Sequence, residues 1–189
     1  MIVRDATANL VGYKHDGTGA QSFSVDFKNG QVAAGGLSFN GLGGNGGVNT
    51  LREYEHSGLW TPELKGSTTE GVATYGSRGG LYTRIGDRIF WSARLTLTSF
   101  SGASGNLVID GFPFVMRNLT QSNGGASIGF IAGLLNTTLR QVFCMHVANT
   151  SRVQFYKLDA GASGVAGLLA SEVSGTFNVY LSGVFKPQE

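Results

Sequence analysis

The longest strand candidate of the chain is Arg88-Ile-Phe-Trp-Ser-Ala-Arg-Leu-Thr-Leu-Thr98. Its second half alternates between apolar and polar residues, which is the pattern of a strand with one buried face. The apolar positions are Ala93, Leu95 and Leu97, and the polar positions are Arg94, Thr96 and Thr98. We therefore predict a half-buried β-strand at this point of the chain.

Further strand candidates lie on both sides of this segment. The clearest covers residues 176–185, where apolar residues again alternate with polar ones. The buried side of that strand is predicted to carry Phe177, Val179 and Leu181. The remaining candidates are residues 9–13, 22–27, 71–75, 81–85, 106–109, 127–131, 141–147 and 152–156.

Turn residues separate these candidates. Residues 76–80 and the pair Gly86-Asp87 are predicted as turns, and residues 101–105 as a loop. A short helix is considered for residues 165–173, where Gly167 weakens it, and residues 50–55 could form one helical turn or a strand entrance. Short strands with glycine-rich turns indicate an all-β fold, either a β-sandwich or a jelly roll.

The composition supports a β-structure and excludes several classes of protein. The chain has 30 glycines against 3 prolines, and glycine favours turns over helices. The 14 basic residues are scattered, so we expect no nucleic-acid binding. No run of about 20 apolar residues exists, and residues 1–10 lack the apolar run of a signal peptide. The single Cys144 allows no intramolecular disulfide.

The first part of the chain differs from the rest. Residues 35–47 are too rich in Gly and Asn to build a core alone, so we predict an extended connector over residues 1–57. A β-sandwich domain is predicted over residues 58–189. Three copies wound around one axis would bury Phe23, Phe27 and Phe39, which predicts a homotrimer.

Four segments in order resemble a module found near the C-terminus of bacteriophage tail fibres and tailspikes. They are Glu53-Tyr-Glu-His-Ser-Gly-Leu-Trp-Thr-Pro-Glu-Leu64, Gly80-Leu-Tyr-Thr-Arg-Ile-Gly-Asp-Arg-Ile-Phe90, the small residue Ala93, and Gly105-Asn-Leu-Val-Ile-Asp-Gly-Phe-Pro-Phe114. Residues 10–21 also resemble the connector ahead of many tailspike bodies. The resemblance implies a homotrimeric part of the virion with a β-sandwich tip. Its implied partners are other tail or capsid proteins, through the N-terminal segment, and a host cell-surface polysaccharide.

Aromatic side chains are the best candidates for contact with sugar. Trp60 belongs to the Trp-Thr-Pro motif and is expected in the core. Trp91 follows Phe90 in a strand, so one of the two must face outward, and Trp91 is expected as an inter-subunit contact or an exposed platform. Tyr82, Arg84 and Tyr156 are the other candidate ligand-binding residues, although plain packing suits each of them.

Other chemistry is not expected. Cys144 and His146 share a strand face but lack the further ligands of a zinc site, so we predict a buried structural cysteine and no cofactor. The candidate carboxylates for a glycosidase are Glu53, Glu55, Asp87 and Asp110, and each has a simpler role in pairing or in a turn. We therefore predict a non-enzymatic receptor-binding protein. The alternatives are a purely structural fibre or capsid-decoration subunit and a depolymerase fragment.

Overall fold

The computed structural model describes residues 2–4, 10–13, 21–25, 37–38, 50–51, 54–118 and 124–188. The chain divides into two compact units, residues 1–53 and residues 54–189. Among the described residues, no helix has the length and apolar character needed to span a membrane.

The described residues of the first unit form five short strands. Strands β1 (Ile2–Arg4), β2 (Leu10–Tyr13) and β3 (Gln21–Val25) form an antiparallel sheet, and β4 (Leu37–Ser38) pairs with β5 (Thr50–Leu51). The strands predicted at residues 9–13 and 22–27 are therefore present over the described residues 10–13 and 21–25. The predicted inter-subunit contacts of Phe23, Phe27 and Phe39 depend on side chains that the structure does not describe.

The second unit is built from one antiparallel sheet of ten strands. Their bounds are β6 (Tyr54–Trp60), β7 (Glu63–Gly66), β8 (Val72–Ile85), β9 (Arg88–Ser101), β10 (Leu107–Asp110), β11 (Gly125–Leu134), β12 (Leu139–Val147), β13 (Arg152–Asp159), β14 (Ala166–Gly167) and β15 (Val173–Phe185). The order across the sheet is β6-β8-β9-β15-β11-β12-β13-β10-β7, with β14 beside β13. The all-β prediction is confirmed.

The connection between β6 and β7 explains how this sheet forms a sandwich. The two strands lie at opposite ends of the sheet but are joined only by Thr61 and Pro62. A sheet whose ends are so close in sequence must curl back on itself, and the inward side chains of its two halves then share one core. The largest fully buried side chains of that core are Phe155, Phe177, Phe185, Leu64, Ile89, Leu95, Leu107, Ile109 and Leu168.

The alternation seen in the sequence matches the burial along β9 and β15. Buried and exposed residues alternate along β9 as far as Leu97. The predicted inward residues Ala93, Leu95 and Leu97 are buried, as are Phe177, Val179 and Leu181 on β15. Because β9 and β15 are hydrogen-bonded neighbours, these two sets of side chains form one continuous inner surface.

The turn predicted over residues 76–80 is wrong, because β8 continues through it. A β-carbon on Gly80 would lie 2.1 Å from Nε1 of Trp60. Glycine is needed there because the indole of Trp60 packs directly on the backbone of the strand. The predicted Gly86-Asp87 turn does join β8 to β9.

The short helix considered for residues 165–173 reduces to a single 3-10 turn over Ala170–Glu172, preceded by β14. Gly167 packs closely on another side chain, since a β-carbon there would lie 2.3 Å from Oδ1 of Asn106. The backbone of Leu168 bonds to Leu107 and Phe155, which holds this segment in extended form.

Candidate functional site

The side chains of β8, β9, β15 and β11 that point away from the core form what we call the outer face. Among the large apolar or aromatic side chains that it presents to solvent are Leu81, Phe90, Phe130 and Tyr180. Large exposed apolar side chains gathered on one face of a sheet are typical of a binding surface. The outer face is therefore the candidate functional surface of the second unit.

Phe90, and not Trp91, is the exposed aromatic residue of β9. Phe90 is 44% exposed, whereas Trp91 is 4% exposed. The expectation that Trp91 forms an exposed platform is wrong. Trp91 has the same parity along the strand as the buried Ala93 and Leu95, so its ring must point into the core. The alternation already visible in the sequence contained this signal.

Phe90 is surrounded by residues with hydroxyl groups. Across the strands it lies opposite Thr83 of β8 and Val184 of β15. The next outward position on β9 is Ser92, which lies opposite Ser182, and Ser182 lies opposite Ser127. One exposed ring therefore stands beside a row of three serines from three different strands.

Two neighbouring surface depressions share Phe90 as a lining residue and together form a shallow groove. Besides Phe90, one depression is lined by Leu81, Tyr82, Thr83, Trp91 and Ser92, and the other by Trp91, Gly125, Ser127, Ser182, Gly183 and Val184. We call this feature the Phe90 groove. Among the described residues that line it, none carries a charge. The groove can offer an apolar ring face and hydroxyl donors and acceptors to a ligand.

Tyr82 and Arg84 lie on the opposite side of β8 from Leu81, as their alternation on a strand requires. The hydroxyl of Tyr82 donates a hydrogen bond to Glu55 at 2.6 Å. That hydrogen bond raises the pKa of Tyr82. Nε of Arg84 donates to the carbonyl of Gly86 at 3.2 Å. Both side chains therefore point away from the outer face, although Tyr82, unlike Arg84, is among the residues that line the Phe90 groove.

Tyr156 lies on β13, in the other half of the sandwich. Its ring stacks on Phe143 with centroids 5.5 Å apart and planes inclined by 11°. The two residues are direct partners across β12 and β13, and both are half-buried. Of the four candidate ligand-binding residues, Tyr82 and Trp91 are cross-strand partners that line one side of the Phe90 groove, whereas Tyr156 lies on β13. A role of Tyr156 in ligand binding stays a prediction.

Trp60, predicted to belong to the core, is buried there. Its ring stacks on Phe112 with centroids 3.9 Å apart and meets Trp91 edge-on at 6.1 Å. Phe112 also meets Trp91 edge-on at 4.8 Å. The two tryptophans and Phe112 therefore form one aromatic cluster beneath the sheet.

Cys144 is buried, as predicted, and its thiol donates to the carbonyl of Ala126 at 3.3 Å. Burial raises the pKa of Cys144 to about 12, so the thiol stays protonated and is a poor nucleophile. Within residues 54–118 and 124–188, no three His, Cys, Asp or Glu side chains are grouped closely enough to hold a metal ion.

His146 is buried between two hydrogen-bonding partners that fix its protonation. Nε1 of Trp91 donates to Nε2 of His146 at 2.9 Å, and Nδ1 of His146 lies 2.6 Å from the carbonyl of Gly124. An indole N–H only donates and a carbonyl only accepts, so the proton of the neutral imidazole must be on Nδ1. A second proton on Nε2 would oppose the N–H of Trp91.

This arrangement predicts a loss of stability in mild acid. Burial lowers the pKa of folded His146 below its usual 6.5, although the bond to Gly124 opposes this. Unfolded His146 takes up a proton near pH 6.5, so the stabilisation is complete above that pH and declines as the pH falls. We expect the melting temperature to fall between about pH 7 and pH 5.

The variant that tests this prediction is His146→Gln. Glutamine at position 146 can accept from Trp91 and donate to Gly124 without titrating, so the pH slope should flatten. An unaltered slope in His146→Gln, measured by thermal melts over the same range, would show that another group titrates.

The acidic residues considered for hydrolysis have other partners. Glu55 accepts from Tyr82, and Asp87 in the β8–β9 turn accepts from Nζ of Lys186 at 2.6 Å. The bond to Lys186 lowers the pKa of Asp87. Glu53 lies outside the described residues.

Asp110 anchors a loop at the end of β10. Its Oδ1 accepts from the backbone N–H of Gly111 at 2.8 Å, and its Oδ2 accepts from Nε of Arg152 at 3.0 Å. Although burial acts to raise the pKa of Asp110, these bonds and one from Ser151 hold it below its usual range. Asp110 is thus an ionised structural residue, the role suggested by its position before a glycine.

Comparison with known proteins gives one solved structure with this architecture. The crystal structure of Dettilon tailspike protein matches with a TM-score of 0.59 and 23% sequence identity over 70% of this chain. The fold is tailspike-like. The matched region covers 24% of that tailspike, so this chain corresponds to about a quarter of its length. No protein-family model matches the sequence, and no curated protein is similar to it.

Proposed function

We propose that the chain is a tail-fibre or tailspike component of a bacteriophage virion and attaches the virion to host-surface polysaccharide. In this proposal it is a homotrimer. Residues 1–57 dock on other tail or capsid proteins, and residues 58–189 form the tip. The tailspike-like fold supports the structural part of this assignment.

The Phe90 groove is the observation that carries the binding part. A pyranose ring has an apolar face and a rim of hydroxyl groups. The exposed ring of Phe90 suits the apolar face, and the hydroxyls of Ser92, Ser127 and Ser182 suit the rim. A mostly apolar platform with a few polar groups at its edge is the usual character of a small-ligand site.

The second candidate is a structural subunit with no affinity for sugar. It is favoured by the exposed Leu59 and Leu81, which are cross-strand partners and would suit contact with another protein. In that case the outer face would be covered in the assembled virion. The third candidate, a depolymerase fragment, would have to release reducing ends from host polysaccharide.

Binding of the full chain to an array of bacterial surface glycans tests the proposal. The variant Phe90→Ala should lower affinity for the hits about 10-fold or more, because it removes the stacking platform. The matched control is Leu135→Ala, which truncates another exposed apolar side chain, just after β11. It should bind as the unaltered chain does.

Two results would contradict the proposal. An unaltered chain that binds no glycan on the array would favour the purely structural subunit. Equal binding by Phe90→Ala and the unaltered chain would show that the Phe90 groove does not bind the glycan. Light scattering on the same samples should give three times the chain mass of 19.8 kDa, and a monomer would rule out the trimer.

A further inference from the structure

Arg94 lies on the outer face next to the Phe90 groove. Phe90, Ser92 and Arg94 are successive outward residues of β9, so Arg94 is about 13 Å from Phe90 along the strand. Across the sheet Arg94 is the direct partner of Tyr180 on β15. An elongated ligand lying along β9 over Phe90 would therefore reach Arg94.

The guanidinium of Arg94 is held by an aromatic ring and not by a carboxylate. Its central carbon lies 5.0 Å from the ring centroid of Tyr180. The ring centroids of Tyr180 and Phe130 are 5.2 Å apart. Within the described part of the chain, Arg94 has no ion pair with an acidic side chain. A guanidinium stacked on a ring keeps the N–H groups of its edge available for an anion.

The charges at the other end of the outer face are arranged differently. There Nε of Arg88 lies 3.6 Å from Oδ1 of Asp87, and Nζ of Lys186 lies 2.6 Å from its Oδ2. Both cations are therefore paired with the same carboxylate. Arg94 is therefore the cation beside the groove that a described carboxylate does not balance. The nearby exposed rings of Tyr180 and Phe130 offer a second apolar surface next to it.

We propose that the polysaccharide bound by the Phe90 groove is anionic, and that Arg94 binds its carboxylate or phosphate group. This inference rests on the proposed function. A preordered guanidinium beside aromatic rings can form charge-assisted hydrogen bonds with an oxyanion while the sugar rings stack on Phe90. Such a contact would distinguish acidic polysaccharides from neutral ones, which the hydroxyl groups of the groove alone could not do.

The test uses the glycan array and the strongest acidic hit from it. That glycan is compared with its carboxyl-reduced or dephosphorylated form, which keeps the sugar backbone and removes the charge. We expect the neutral form to bind roughly 10- to 100-fold more weakly, because a charge-assisted hydrogen bond is lost. Arg94→Gln should lose affinity for the acidic form by a similar factor and should not change affinity for the neutral form.

The matched control is Arg88→Gln, which removes one positive charge from the same face of the same strand. This substitution should change the affinity for the acidic glycan less than about 3-fold, because the charge of Arg88 is already paired with Asp87. Arg94→Lys keeps the charge but loses the planar fork, and should fall between Arg94→Gln and the unaltered chain.

The outcomes separate this inference from the proposed function. If Phe90→Ala abolishes binding while Arg94→Gln has no effect, or if neutral and acidic glycans bind equally, the inference is wrong and the proposed function stands. If no glycan binds, both are wrong. If Arg94→Gln changes the oligomer mass in light scattering, Arg94 belongs to an inter-subunit contact, which also overturns the inference.

Discussion

Replacing Phe112 by alanine is expected to lower the free energy of unfolding by about 3–5 kcal/mol. Phe112 is the centre of the aromatic cluster in the core. It stacks on Trp60 and meets Trp91 and Phe185 edge-on, with centroid distances of 3.9, 4.8 and 5.8 Å. Its removal would leave a cavity between large rigid rings, which cannot easily collapse to fill the space.

The control for this prediction is Phe90→Ala, which deletes the same phenyl group from the outer face. Since the ring of Phe90 is 44% exposed, its loss should cost less than about 1.5 kcal/mol. Chemical denaturation of both variants measures the difference. A loss below about 1 kcal/mol in Phe112→Ala would contradict the description of the core. In glycan binding the order should be reversed, because Phe90→Ala should lower the affinity and folded Phe112→Ala should not.

The second large effect is expected for Gly80→Ala. An alanine β-carbon at this position would lie 2.1 Å from Nε1 and 2.2 Å from Cε2 of Trp60. Because Trp60 is a buried member of the aromatic cluster, the indole cannot move away without disturbing Phe112. Overpacking of this kind costs about 1–3 kcal/mol.

Gly79→Ala provides the matched control in the neighbouring position of the same strand. A β-carbon on Gly79 would have no heavy atom within 4 Å. The substitution should be neutral or stabilise by up to about 1 kcal/mol, since alanine reduces the entropy of the unfolded chain. Thermal melts of the two variants should differ clearly. Equal melting temperatures would mean that Trp60 does not pack on Gly80.

The sequence predicted the central strands because their burial depends on local alternation. Along β9 and β15, apolar residues recur at every second position, and such a pattern has few structural alternatives. The error at residues 76–80 arose because glycine has two uses. It permits turns, and it also permits close approach by another group. Only the tertiary contact with Trp60, about twenty residues earlier, distinguishes the two at Gly80.

The Phe90 groove could not be predicted as a site, because three parts of the chain that are distant in sequence supply it, namely the β8–β9 hairpin, β11 and β15. Ser92, Ser127 and Ser182 become neighbours only through the pairing of β9 with β15 and of β15 with β11. The preference for Trp91 over Phe90 was a different kind of error. Residue type was given more weight than strand parity, although the parity of Ala93, Leu95 and Leu97 already placed Trp91 inside.

Hydroxyl-radical footprinting of the chain, with and without the host polysaccharide, tests the central claim most directly. The method reports the solvent exposure of individual side chains. We predict that bound polysaccharide protects Phe90 and Tyr180 on the outer face, while the stacked pair Phe143 and Tyr156 on the other half of the sandwich is labelled as before. Protection of Phe143 and Tyr156 with unchanged labelling of Phe90, or no protection anywhere, would contradict the assignment of the outer face as the attachment surface.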